Sequence, residues 1–171
     1  MANIRKPRDI VDVEALQDEL ASLVDWSGYT SKTQTKVLEI FKAVLRGGDD
    51  EIRRRFEDAA VSGSEVVHSR AFLVDQIIRA IHDFALEYVY PVANPTKGEL
   101  LSIVATGGYG RSDLAPYSDI DLMFLLPYKR TPHTEQVVEF MLYMLWDMGL
   151  KVGHATRSIN DVVRLALRDT T

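Results

Sequence analysis

Several things are missing from this 171-residue sequence, and each absence excludes a class of protein. It has no cysteine, so there is no disulfide scaffold, no thiolate metal site and no cysteine nucleophile. No stretch approaches the roughly 18 apolar residues that a membrane span requires. The first ten residues, Met1 to Ile10, are mixed and charged and lack the apolar segment of a secretion signal, so the cytoplasm is the expected address. A basic excess is also lacking. Twenty Lys and Arg stand against 25 Asp and Glu, a net charge of −5, which disfavours general nucleic-acid binding. A local phosphate site needs only a few donors and stays open. Internal repeats and low-complexity segments are absent. The remaining composition is that of a globular chain, 46% hydrophobic and 26% charged, long enough to bury a core without staples. One domain, or one domain with a helical extension, is the expected organisation.

The first hundred residues carry helical periodicity. Val13, Leu16, Leu20, Leu23 and Val24 form one stripe, closed by Gly28. Ser31 and Gln34 have capping-box spacing ahead of a second stripe of Val37, Leu38, Phe41, Val44 and Leu45. Gly47-Gly48 predicts an end to that helix. Asp49 or Asp50 then caps a shorter one bearing Ile52, Phe56 and Ala59. The longest helix is predicted from about Ser64 to Tyr90, stopped by Pro91. Trp26, Phe41, Phe56, Phe72, Phe84 and Tyr88 fall on these stripes and are expected in the core. Arg53-Arg54-Arg55 wraps around a helix and is expected to be solvated.

After a loop over Val92 to Glu99, the pattern changes. Leu100–Thr106 is a short apolar run bounded by glycine, and Asp119–Leu126 alternates before turning wholly apolar; both predict strands. Thr134–Met148 returns to helical spacing, and Leu150–Thr156 predicts a third strand. Ser158 and Asp161 have capping-box spacing before a final helix. That helix stops on Arg168-Asp169-Thr170-Thr171 without a cap, as in a piece of a longer chain. The division expected is a helical region over residues 1–97 and a second, incomplete unit over 98–171, an α/β (α+β) arrangement.

Chemistry concentrates between Thr106 and Leu122. A Gly-Gly pair after a strand is by itself an ordinary turn, and Asp-x-Asp by itself an ordinary loop. Two familiar glycine motifs fail here. Gly110 is followed by Arg111 and Ser112 rather than by the Lys-Ser/Thr of a P-loop, and Asp113 stands where the dinucleotide fingerprint needs a third glycine or alanine. What remains is strand, Gly107-Gly108 turn, connection, and a strand bearing Asp119 and Asp121. Residues i and i+2 of a strand share a face, about 6.6 to 7 Å apart. Two carboxylates so placed suit Mg2+ (or Mn2+), which is bound by one or two carboxylates together with substrate phosphates. Gly107 and Gly108 permit close backbone approach and positive φ. Arg111 has the fork to bind a phosphate and Ser118 a hydroxyl. Ile120 and Leu122 point to the opposite face and are expected to pack. Together these residues indicate a metal-dependent nucleoside-triphosphate site with displacement at phosphorus.

The run from Gly107-Gly108-Tyr-Gly-Arg to Ser118-Asp119-Ile-Asp121-Leu resembles the signature of the polymerase-β-like nucleotidyltransferases. With Trp146-Asp-x-Gly149-Leu-Lys-Val-Gly153-His154-x-x-Arg157, it is similar in wording to the uridylyltransferase/uridylyl-removing enzymes of bacterial nitrogen regulation. This resemblance covers about residues 100 to 171. It implies a nucleotidyltransferase core with a small mixed sheet flanked by helices, behind an N-terminal helical bundle. It also implies transfer of UMP from UTP to a tyrosine of the PII signal protein. Asp119 and Asp121 match the family's metal-binding aspartates, and Gly107, Gly108 and Ser118 its triphosphate loop. The family's hydrolase and glutamine-sensing regions have no counterpart in this sequence. A third carboxylate, common in the superfamily on a following strand, is absent from Leu150–Arg157. The alternatives are another nucleotidyl transfer of the superfamily, such as adenylyl transfer, or an inactive nucleotide-binding or partner-docking fragment.

Other candidates carry less. His82-Asp83 lacks the further ligands of a hydrolase metal site. His68 and His133 are expected to be solvent-facing without partners. His154 either touches nucleotide or holds a backbone carbonyl, and Tyr109 either stacks on a base or packs beneath its loop.

Overall fold

The computed structural model describes residues 4–24, 28–58 and 61–169. Trp26 and Ala59 lie outside the described residues.

Among the described residues of the first half lie α1 (Pro7–Ile10), α2 (Val13–Ser22), α3 (Ser31–Glu57) and α4 (Gly63–Phe84). Asp12 caps α2 by accepting from the Ala15 amide, and the helix ends at Ser22, before Leu23 and Val24. The cap of α3 is Thr30 rather than Ser31. Thr30 is extended (φ −130°, ψ 167°) and its hydroxyl accepts from the Thr33 amide, as a cap residue should.

The Gly-Gly stop does not occur: α3 runs 27 residues straight through Gly47 and Gly48. Its buried stripe is Thr33, Val37, Phe41, Leu45, Gly48, Ile52 and Arg55, spaced by three and four. Gly48 therefore belongs to the packed face. A Cβ there would lie 2.6 Å from both methyls of Leu73 and 3.0 Å from the Ile10 carbonyl oxygen. A glycine costs a helix about 1 kcal/mol relative to alanine, and the close approach of α3 to α4 and α1 outweighs it. The same stripe explains two further departures. Phe56, one position past Arg55, is 54% exposed. Arg55 is buried, donating to Glu51 (2.8 Å) and to the carbonyls of Arg5 (2.5 Å) and Lys6 (3.2 Å). It thereby ties α3 to the start of the chain.

A full capping box of Ser62 and Glu65 starts α4. The helix passes at Phe84 into one π-helical turn, Ala85–Val89. A 3-10 turn, Lys97–Glu99, then leads to the sheet. Strands β1 (Ser102–Ala105), β2 (Ile120–Leu126) and β3 (Val152–Ser158) form one mixed sheet in the order β1-β2-β3. The β1–β2 pair is antiparallel and the β2–β3 pair parallel. A four-residue helix, α5 (Gly107–Gly110), joins the first two strands. The parallel pair is connected by α6 (Pro132–Asp147), and α7 (Ile159–Asp169) follows β3, with the Ser158–Asp161 capping box as expected.

The chain is thus α+β, with one continuous core running from Ile10 through α3 and α4 to β2 and α6. Ile120, Leu122, Phe124 and Leu126 face that core and are each at most 3% exposed. Since side chains alternate along a strand, Asp121, Met123 and Leu125 occupy the other face, outside the helical layer. No helix among the described residues is long and apolar enough to cross a membrane.

Candidate functional site

The loop is anchored to the sheet at its first residue. Thr106 continues β1 by donating its amide to the Asp121 carbonyl (2.9 Å), with its hydroxyl directed at the same oxygen (3.3 Å). Gly107 then turns the chain at φ 60°, a conformation that favours glycine. Gly108 is not in that region. Its constraint is closeness, because a Cβ would sit 3.2 Å from the Asp113 carbonyl oxygen. Gly110 is tighter still, with a Cβ position 2.6 Å from the Ala105 carbonyl oxygen. Within α5 the first amides, those of Gly107 and Gly108, have no intrahelical acceptor.

Asp119 lies immediately before β2 and Asp121 within it, and both are exposed. Asp121 occupies a slot made by two absent side chains. A Cβ on Gly107 would lie 2.6 Å from its Oδ2, and one on Gly153 would lie 2.8 Å from its Oδ1. The slot follows from register, since Gly153 is the partner of Asp121 in the parallel pair. Ile120 and Leu122 pack on the opposite face as expected. The connection into β2 is unusual in backbone terms, with Ser112 at φ 64° and Tyr117 at φ 67°, a region that non-glycine residues seldom adopt. Ser118 is exposed next to Asp119. Arg111 turns back on its own loop, donating to the Gly107 carbonyl (2.9 Å) with Asp113 at 3.8 Å, and keeps most of its side chain in solvent.

No cluster of three His, Cys, Asp or Glu side chains that could hold a metal occurs among the described residues. Position 153 on β3 is a glycine, and Asp161 is engaged at the far end of that strand. The Ser158 hydroxyl and amide hold the Asp161 carboxyl below the usual carboxylate range. Two exposed carboxylates fit a divalent cation that takes its remaining ligands from water and substrate phosphates, and do not fit an ion caged by protein.

Tyr109 does not present its ring to solvent. It is 5% exposed and its hydroxyl donates to Asp75 of α4 at 2.5 Å. His154 is the register partner of Leu122 and meets Trp146 edge-on at 5.9 Å between centroids, so it faces α6 and away from Asp121. The two histidines expected to be free are not: His68 approaches Asp113 (3.5 Å) and His133 pairs with the Tyr90 carbonyl (3.0 Å). His82 Nδ1 pairs with its neighbour Asp83 (3.1 Å). Sequence reading missed the Gly153 slot and the Asp75 and His68 contacts. Each depends on residues at least 30 positions away.

Over nearly its whole length, the chain is similar to proteins named bifunctional uridylyltransferase/uridylyl-removing enzyme. The protein from Azospirillum brasilense is 48% identical over 170 residues, 99% of this chain. That from Rhodospirillum rubrum is 49% identical over 168 residues, 98% of the chain. That from Novosphingobium aromaticivorans is 43% identical over 171 residues, all of it. In each case the chain spans about 18% of the relative's own length. No family model and no solved structure matches.

Proposed function

We propose, from its kinship with the bifunctional uridylyltransferase/uridylyl-removing enzymes, that this chain carries a nucleotidyl-transfer site. In this reading the site moves UMP from UTP to a tyrosine of the PII signal protein. The observation that carries the reading is the slot around Asp121. The loop that starts at Gly107 and the strand that carries Gly153 are both stripped of side chains where they meet one carboxylate, with Asp119 beside it.

In this reading Gly107 and Gly108 bring the α5 amides against the triphosphate, and Ser118 adds a hydroxyl. Arg111, already exposed, exchanges its bond to the Gly107 carbonyl for a phosphate oxygen. Asp119 and Asp121 would hold Mg2+ (or Mn2+), which when bound neutralises charge on the phosphates. The chain's contribution is orientation. The loop fixes the triphosphate so that the acceptor phenol attacks the α-phosphorus in line. A new oxygen–phosphorus bond forms, pyrophosphate departs with the electrons of the broken bond, and the phenolic proton leaves to water.

Titration of UTP, CTP, ATP and GTP into the chain, with and without Mg2+, tests the nucleotide half of the reading. Selective Mg2+-dependent UTP binding supports it, and a preference for ATP replaces it with adenylyl transfer. Mass spectrometry of PII after incubation with UTP tests the other half: the uridylyl reading requires a UMP adduct on tyrosine.

A further inference from the structure

We infer that Tyr109 and Asp75 are positioning residues, whose hydrogen bond fastens the glycine loop to α4 and so fixes Gly107 and Gly108 beside Asp121. This rests on the reading of residues 106–121 as the nucleotide site. Tyr109 is the one large side chain inside the Gly-Gly-Tyr-Gly run, and the loop buries it almost completely. Its hydroxyl donates to Asp75 Oδ1 at 2.5 Å. Burial first, and then the Asp75 carboxylate, raise the phenol's pKa, so Tyr109 remains a donor throughout the neutral range.

Two weaker ties follow the same helix. The Leu114 amide reaches the Val67 carbonyl at 3.4 Å, and His68 Nε2 lies 3.5 Å from Asp113 Oδ1. Asp75 is two helical turns beyond His68, so these contacts run along one side of α4 and hold the chain at Tyr109 and again at Asp113-Leu114. A four-residue helix containing three glycines does not persist by its own propensity, and an external anchor is what gives α5 a fixed direction. The Tyr109–Asp75 bond also borders a cavity of about 420 Å³, lined in addition by Arg79, His82, Ile103 and Leu122. The site is held by α4, 32 residues upstream of the first glycine, and sequence adjacency gives no hint of it.

The test is UTP titration with Mg2+ on the chain and on Tyr109→Phe, Asp75→Ala, Asp75→Asn and the Tyr109→Phe/Asp75→Ala double variant. Melting curves and amide exchange over residues 106–111 accompany it. Tyr109→Phe and Asp75→Ala are each expected to weaken UTP binding roughly tenfold or more. The double variant should lose no more than the worse single one. Asp75→Asn, whose amide oxygen still accepts from the phenol, should retain most of the affinity. Lowered melting temperatures with unchanged UTP affinity would overturn the inference. If Tyr109→Phe does not fold, the contrast between Asp75→Asn and Asp75→Ala decides in the same way. If the unchanged chain binds no UTP, the nucleotide reading itself is refuted, and exchange over 106–111 decides the anchor alone. Acceleration in Tyr109→Phe upholds it, and an unaltered rate overturns it.

Discussion

An alanine at position 153 would place its Cβ 2.8 Å from Oδ1 of Asp121, nearer than carbon and oxygen approach in ordinary contact. The backbone at 153 has no positive φ to preserve, so the substitution lowers the entropy of the unfolded chain and should contribute about 0.4–1 kcal/mol of stability. Against this, the short Asp121 side chain must leave its rotamer well, at a cost of about 0.5–1.5 kcal/mol. The two nearly cancel. The melting temperature of Gly153→Ala should therefore stay within about 4 °C of the unchanged chain. The carboxylate is displaced all the same, and a cation shared between it and the substrate phosphates loses one of its few protein ligands. Calorimetric titration of UTP with Mg2+ should then show at least a tenfold loss of affinity in a chain that melts normally. Gly149→Ala supplies the converse. Gly149 sits at φ 85° with no atom within 4 Å of a built Cβ, so that variant should lose stability and keep its nucleotide. Unimpaired, Mg2+-dependent UTP binding by Gly153→Ala would refute the slot argument.

The adjacent glycines of α3 should respond with opposite signs. Gly47→Ala, with nothing within 4 Å, should stabilise by about 1 kcal/mol. Gly48→Ala, driven into Leu73, should destabilise by about 1–3 kcal/mol, and urea unfolding measures both. Hydrogen bonds from Arg54, and then Arg55, lower the Glu51 pKa to about 2. A depressed pKa means stability present above the unfolded-state value near 4.5 and lost as pH falls toward 2. Glu51→Gln should therefore melt below the unchanged chain at pH 7, with the gap closing between about pH 4.5 and 2. A gap independent of pH contradicts that assignment.

How far the sequence could be read depended on the range of the interaction. The caps of α7 and the stripes of α4 and α6 are signals within four residues, and they appear as expected. So does the alternation that puts Asp121 opposite Ile120 and Leu122. Gly47-Gly48 misled because a glycine pair looks alike whether it ends a helix or lets another helix approach; only the position of Leu73, 25 residues on, separates the cases. The carboxylates and Gly107 were legible as a local pattern. Gly153 was not, because its role depends on parallel register across α6. Tyr109 was visible but ambiguous until its partner on α4 was known. His68 and His133 looked free for the same reason, their partners being tens of residues distant.

In the proposed site Asp119 and Asp121 hold a divalent cation together with a triphosphate. Mn2+ binding followed by electron paramagnetic resonance tests it most directly, in the chain and in Asp121→Asn, with and without UTP. Mn2+ alone should bind weakly, binding should tighten markedly when UTP is added, and that tightening should be lost in Asp121→Asn. UTP binding that ignores Mn2+, or tightening that survives in Asp121→Asn, would contradict it.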